Sequence, residues 1–218
     1  MNAFADTFLL TYASLFPIVN PIGSAPIFLS LTRRYTGEER QALARRVAIN
    51  SFLLLLGSLF VGSHVLAFFG ITLPVVRIAG GLVVTAFGWK LLHAGETPDI
   101  LRKPDSGGVT RGPSDAFYPL TMPLTVGPGS IAVAVTLGSQ RPNAVDVPHL
   151  AIIGGAAIGG LLAISATVYV AYRFAERMVR LLGEGGLKVM IQLSAFILLC
   201  IGVEIVWSGW SALMGATP

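Results

Sequence analysis

Charged residues cut this chain into long stretches that carry no charge. With His counted as neutral, the uncharged runs are 7–32, 47–76, 78–89, 116–140, 147–172 and 189–203. The third continues past Lys90 to Leu92, and the last past Glu204 to Trp210. A helix needs about 20 mostly apolar residues to cross a bilayer. The run 47–76 is long enough to include a short hairpin at 70–74. The pattern therefore predicts an all-α membrane protein with six transmembrane helices and no soluble domain. The longest polar stretch, 93–115, is rich in Gly, Pro and charge and reads as a flexible loop.

Two of the predicted spans contain residues that helices avoid. The first carries "FPIVNPIGSAPIFL" (16–29) and the fourth carries "PLTVGPG" (123–129). Proline removes an amide donor and clashes with the carbonyl one turn back. Glycine loosens the backbone further. Asn20 lies midway between Asp6 and Arg33, and Gly127 lies midway between Asp115 and Arg141. Helices 1 and 4 are therefore predicted to break near the bilayer midplane. Unpaired backbone groups cost several kcal/mol each in hydrocarbon, so such breaks survive only inside protein or beside a watery cavity.

Composition supports a bilayer setting. Hydrophobic residues make up 54% of the 218, charged residues 12%, and mean hydropathy is +0.74. The charged share is well below the roughly 25% of soluble domains. The segment "MNAFADTFLL" has no basic stretch and no small-residue cleavage site, so it reads as the first span rather than a signal peptide. The single cysteine, Cys200, can form no internal disulfide and reads as packing.

The net charge of +4 is explained by topology rather than by nucleic acid. Twelve of the 15 Lys and Arg fall in the loops after spans 1, 3 and 5, leaving Arg77 and Arg141 opposite and Lys90 within a span. The positive-inside rule places those twelve in the cytoplasm and both termini outside. Trp207 and Trp210 then suit an outer interfacial belt. The arginines read as topology and lipid-attraction residues with no catalytic role.

The two halves resemble each other. "NPIGSA" (20–25) has a counterpart in "GPGSIA" (127–132), and "AFGWKLL" (86–92) in "CIGVEIV" (200–206). Each half holds three spans, so the copies would sit in opposite orientations. That is the inverted-repeat plan of secondary transporters. The expected division is 1–92 for the first repeat, 93–114 for a cytoplasmic linker and 115–218 for the second repeat. A broken helix offers free N–H groups at one end and free C=O groups at the other, each worth about half a charge. Two antiparallel breaks meeting at midplane would suit the carboxylate and ammonium of a free amino acid. The candidate substrate-binding residues are Asn20, Pro21, Gly23, Ser24, Thr125, Gly127, Pro128, Gly129 and Ser130.

"VNPIGSAPIFLSLT" and "PLTVGPGSIA" resemble the paired signatures of the MarC-related integral membrane proteins, and "RIAGGLVVTAFGWKLL" resembles that family's third span. The likeness runs from about Phe8 to Trp210. It implies a six-span protein of the bacterial inner membrane, grouped with amino-acid exporters of the lysine-exporter type. It also implies transport of small neutral amino acids.

The charges inside the spans are few. Lys90 and Glu204 occupy matched places in the repeat. Each lies roughly 10 Å from its span centre, on opposite sides of it. They are not expected to pair. Lys90 reads as a snorkelling residue. Glu204 and His64 are the candidates for gating or proton coupling. Tyr118, Tyr169 and Tyr172 read as interfacial or packing groups. The small residues of "GGAAIGG" (154–160) read as close helix packing rather than as a dimer face.

An enzyme finds no support: HExxH, GxSxG, an Asp pair in the spans and a nucleotide-binding GxxxxGK[ST] loop are all absent from the sequence. No catalytic residue, cofactor or metal is assigned. The expected function is a secondary transporter exporting small neutral amino acids or related metabolites, driven by H+ or Na+. The alternative is a non-transporting structural or assembly protein of the membrane. The expected partners are the substrate, the coupling ion and the lipid bilayer, with a homo-oligomer possible and no nucleic acid.

Overall fold

The structure, a computed structural model, describes residues 3–93, 116–139 and 147–215. Nearly all of the expected 93–114 linker lies outside the described residues, with Arg102, Lys103, Arg111 and, further on, Arg141. Every regular element among the described residues is helical. In chain order they are α1 (Ala3–Val19), α2 (Pro21–Leu31), α3 (Gly37–Phe68), α4 (Leu73–His93), an irregular helical segment (Ala116–Thr125), α5 (Pro128–Ser139), α6 (Val147–Arg173) and α7 (Ala175–Leu213).

Local chemistry sets several of these boundaries. Thr36 caps α3: its hydroxyl accepts from the Glu39 amide, while the Glu39 carboxylate accepts from the Thr36 amide. This reciprocal pairing satisfies two of the orphan donors of a helix start. Acidic Glu38 and Glu39 sit in the same positively polarised first turn. The helix stops at Phe68, and Gly70 at φ +67° turns the chain into α4. That turn falls inside the expected 70–74 hairpin.

Four stretches are long and apolar enough to cross a membrane: Gly37–Phe68, Leu73–His93, Ala151–Arg173 and Lys188–Leu213. The remaining apolar length lies in two bent pairs. The α1–α2 pair bends by 42°, and the segment Ala116–Thr125 with α5 by 71°. If each bent pair is one span, the total reaches six. α7 is also interrupted, at Gly183 (φ +65°), short of its long apolar stretch.

The most extensive helix pair is α4 with α7, which run antiparallel. Missing side chains bring the two backbones together. A Cβ on Gly81 would lie 2.8 Å from the Gly202 carbonyl, and one on Gly88 2.8 Å from the Leu199 amide nitrogen. Small residues make this approach possible, and in lipid such contact replaces the hydrophobic drive. The same register puts Lys90 near Ala195, toward the end of α4, and Glu204 near Gly81, close to the middle of the pair.

The 154–160 stripe is used in part for internal packing. Ala156, Ala157 and Gly160 are buried, and a Cβ on Gly160 would meet the Thr11 side chain of α1 at 2.8 Å, whereas Gly154 and Gly155 face open space. Cys200 is exposed on α7.

Candidate functional site

The first break is built around Asn20. Pro21 occupies the first position of α2 and has no amide to give to the Pro17 carbonyl one turn back. Asn20 itself adopts the left-handed conformation, φ 45° and ψ 59°. Asparagine is among the few residues that visit this region readily. Its Oδ1 accepts from the Gly23 amide at 3.1 Å, and its carbonyl accepts both the Ser24 amide and the Ser24 hydroxyl. The N-terminus of α2 is thus largely capped by Asn20.

The second break differs in form. The segment Ala116–Thr125 is not the ordinary half-helix expected from the sequence. Tyr118 and Met122 are extended, and the Tyr118–Pro119 and Met122–Pro123 peptides are cis. The sequence here is a tandem repeat, "YPLTMPLT" (118–125). Each repeat ends in a threonine whose hydroxyl reaches back five residues. Thr121 Oγ1 donates to the Ala116 carbonyl at 2.6 Å, and Thr125 Oγ1 donates to the Leu120 carbonyl at 2.7 Å. The Val126 amide bonds the Thr121 carbonyl at 2.8 Å. The threonine hydroxyls thus add side-chain hydrogen bonds to two backbone carbonyls inside the irregular segment.

α5 then starts at Pro128. Its first amide with a carbonyl partner is that of Ile131, bonded to the Gly127 carbonyl at 3.1 Å. The amides of Gly129 and Ser130 precede it, so they belong to the unpaired donors of a helix start. The α5 start is therefore the more open of the two.

The two breaks meet at one cavity of about 70 Å³. Eight of the nine sequence-predicted binding residues line it: Asn20, Gly23, Ser24, Thr125, Gly127, Pro128, Gly129 and Ser130. The ninth, Pro21, is buried beside Asn20 but is not part of the wall. The rest of the wall is mainly apolar, with Val83, Val84, Phe87 and Leu91 of α4 and Leu198 of α7. No charged side chain lines it among the described residues. Two glycines are needed for close approach. A Cβ on Gly129 would lie 1.9 Å from Val84 Cγ2, and one on Gly23 would lie 2.6 Å from Ser194 Cβ.

The structure does not bring His64 or Glu204 to the cavity. Both are on the exposed outer surface of the bundle, on α3 and α7. Lys90 is exposed as well. Tyr172 is the residue whose place the sequence did not reveal. It is enclosed behind the cavity, with its ring stacked on Phe28 at 4.3 Å and its hydroxyl 2.7 Å from Thr125 Oγ1. Of the two roles expected for it, interfacial and packing, it has the second. Its signal in the sequence is faint, because a tyrosine near a basic loop is what an interfacial belt also contains.

Helices of this length and apolarity, folded about two interrupted pairs that share an interior cavity, define a multi-pass integral membrane protein. Comparison with known proteins gives the family. The MarC family of integral membrane proteins matches residues 5–214, and the chain belongs to that family. It is 31% identical to the inner membrane protein MarC of Citrobacter koseri over 89% of this chain and 90% of that one. It is 30% identical to MarC of Salmonella typhimurium over the same shares. A membrane protein of the archaeon Archaeoglobus fulgidus is 29% identical over 93% of this chain and 91% of its own length. No solved structure matches the chain.

Proposed function

We propose that this protein is a secondary transporter that exports small neutral amino acids or related metabolites across the inner membrane. In this reading each bent pair is one span, giving six spans in two inverted three-helix repeats with the breaks near midplane. The basic loops face the cytoplasm and both termini face outward.

The observation that carries this reading is the shared cavity: residues from both breaks line one small, mostly apolar space. Its volume is about half that of an engineered cavity of about 150 Å³ that holds benzene, so it favours the smallest amino acids. Its uncharged wall favours a substrate of no net charge, because an unpaired charge inside the bilayer is expensive. A zwitterion fits both limits. Its carboxylate docks on the open amides of Gly129 and Ser130, where the helix dipole favours negative charge. Its ammonium faces the last carbonyls of α1, the orphan acceptors of a helix end, among them that of Pro17, whose donor Pro21 cannot supply. Asn20, Ser24 and Thr125 add hydrogen-bonding atoms, and a small apolar side chain lies against α4. A proton or sodium gradient supplies the energy. A purely structural role leaves this shared cavity without a use.

The test is a thermal-stability screen of the detergent-purified protein against the amino acids. A ligand held by the folded state at 100 times its Kd stabilises it by about 2.7 kcal/mol. Alanine, glycine or serine is expected to raise the melting temperature, and lysine and glutamate are not. Stabilisation only by charged amino acids, or by none, would reject the reading.

A further inference from the structure

Tyr172 lies at the end of α6, one residue before Arg173, and is almost completely enclosed (1% exposed). Its ring lies nearly parallel to that of Phe28 in α2, with centroids 4.3 Å apart and planes 15° apart. Its hydroxyl contacts Thr125 Oγ1 at 2.7 Å. Ser24 belongs to the first break and Thr125 to the second, and both line the cavity, whereas Tyr172 stands behind them.

Counting protons fixes the direction of this bond. The Thr125 hydroxyl donates to the Leu120 carbonyl at 2.7 Å. The Thr125 oxygen is left as an acceptor, so the Tyr172 proton is the one that serves it. One tyrosine therefore bridges the two breaks, stacking on Phe28 of α2 and donating to Thr125.

A second layer lies beyond it, toward the basic loops. Arg40 of α3 donates from Nε to Thr32 Oγ1 and from Nη2 to the Thr32 and Tyr35 carbonyls, each at 3.2 Å. Its Nη1 pairs with Glu176 at the start of α7. Passing from the cavity to that face, one meets Ser24 with Thr125, then Phe28 with Tyr172, then Thr32 with Arg40 and Glu176.

We propose that Tyr172 is a positioning residue that locks the two breaks together on the cytoplasmic side of the cavity, so that this structure is the state shut from the cytoplasm. Opening requires Tyr172 to release Thr125 and to unstack from Phe28. The inference rests on the transporter reading and its orientation. It adds the residue that controls access from one face.

The experiment uses the full chain with Cys200→Ser and Ser130→Cys, which places one reporter thiol in the cavity wall. A membrane-impermeant maleimide is applied separately to each face of oriented vesicles, without substrate. Tyr172→Phe keeps the ring and removes the proton. It is expected to speed labelling from the cytoplasmic face by about fivefold, the change that loss of one net hydrogen bond produces in an equilibrium constant. Labelling from the outer face is expected to stay the same. Unchanged labelling from the cytoplasmic face, or an equal rise from both faces, would overturn the proposal. If Tyr172→Phe does not accumulate, Phe28→Leu removes the stacking partner and is expected to act in the same direction; no rise there overturns the proposal equally. Faster one-sided labelling in a protein that binds no amino acid would support the lock and reject the transporter. Substrate binding with unchanged labelling would do the reverse.

Discussion

The hydroxyls of Tyr172 and Thr125 lie 2.7 Å apart in the interior, and they join residues 47 positions apart in the chain. Thr125 spends its own proton on the Leu120 carbonyl, so the phenol is the donor. A net hydrogen bond of this kind contributes about 0.5–1.5 kcal/mol, and the range in membrane bundles is similar. Tyr172→Phe is expected to lower stability by about that amount. A reversible unfolding titration in mixed micelles measures it. A loss above about 3 kcal/mol would mean that the ring contact with Phe28 had also been broken.

The glycines of the second break separate two kinds of constraint. A Cβ on Gly129 would overlap Val84, whereas one on Gly127 meets only the Pro123 carbonyl at an ordinary 3.5 Å. Gly129→Ala is expected to cost about 1–3 kcal/mol through overpacking, and Gly127→Ala far less. Because the obstacle is a side chain, adding Val84→Ala is expected to recover part of the Gly129→Ala loss. Folded yield by gel filtration in detergent reports all three variants.

Between α4 and α7 the obstacle is backbone, which cannot rotate away. A Cβ on Gly88 would meet the Leu199 amide nitrogen at 2.8 Å and the Ala195 carbonyl at 3.1 Å. Gly88→Ala is therefore expected to destabilise more than Gly129→Ala, with no single compensating truncation. Thermal unfolding of the two variants side by side gives the order. Equal losses would mean that α7 can shift.

Asn20 combines a cap with a left-handed backbone. Asn20→Gly keeps the conformation and loses the side-chain bond to Gly23, while Asn20→Ala loses both. The cap is worth about 1 kcal/mol and the conformation about 1–2 kcal/mol for a residue with a Cβ. The expected stability order is Asn, then Gly, then Ala. Denaturant midpoints of the three proteins provide the check.

Arg40 holds the end of α2 through the Thr32 and Tyr35 carbonyls and is largely buried, but its ionic partner Glu176 is 53% exposed. Arg40→Ala is expected to cost about 1–3 kcal/mol by leaving carbonyls unmet. Glu176→Gln is expected to cost under about 1 kcal/mol, because exposed ion pairs contribute little. The same unfolding assay at low and high salt distinguishes them, with only the smaller effect shrinking in salt.

The sequence reveals the breaks at Asn20 and Gly127 because proline, glycine and asparagine act on their own backbone. It also reveals the four long apolar helices and the Gly70 turn, which depend on local composition. The rest depends on contacts distant in sequence. The 116–125 segment gave no periodic signal, because its order comes from threonine hydroxyls reaching back five residues between prolines. The rotation of α3 and α7 about their axes was not legible either. An apolar run gives a residue its depth but not its face, so His64 and Glu204 looked available to a cavity that they do not touch. Tyr172 is hidden for the same reason: its burial depends on how α2 packs on α6.

The most direct measurement is counterflow of labelled alanine or glycine in proteoliposomes, with wild type, Pro21→Leu and Gly127→Leu compared at equal reconstitution. Wild type is expected to exchange the label, and both variants are expected to insert normally and exchange none of it. Exchange by both variants at the wild-type rate would contradict a transport path through the two breaks.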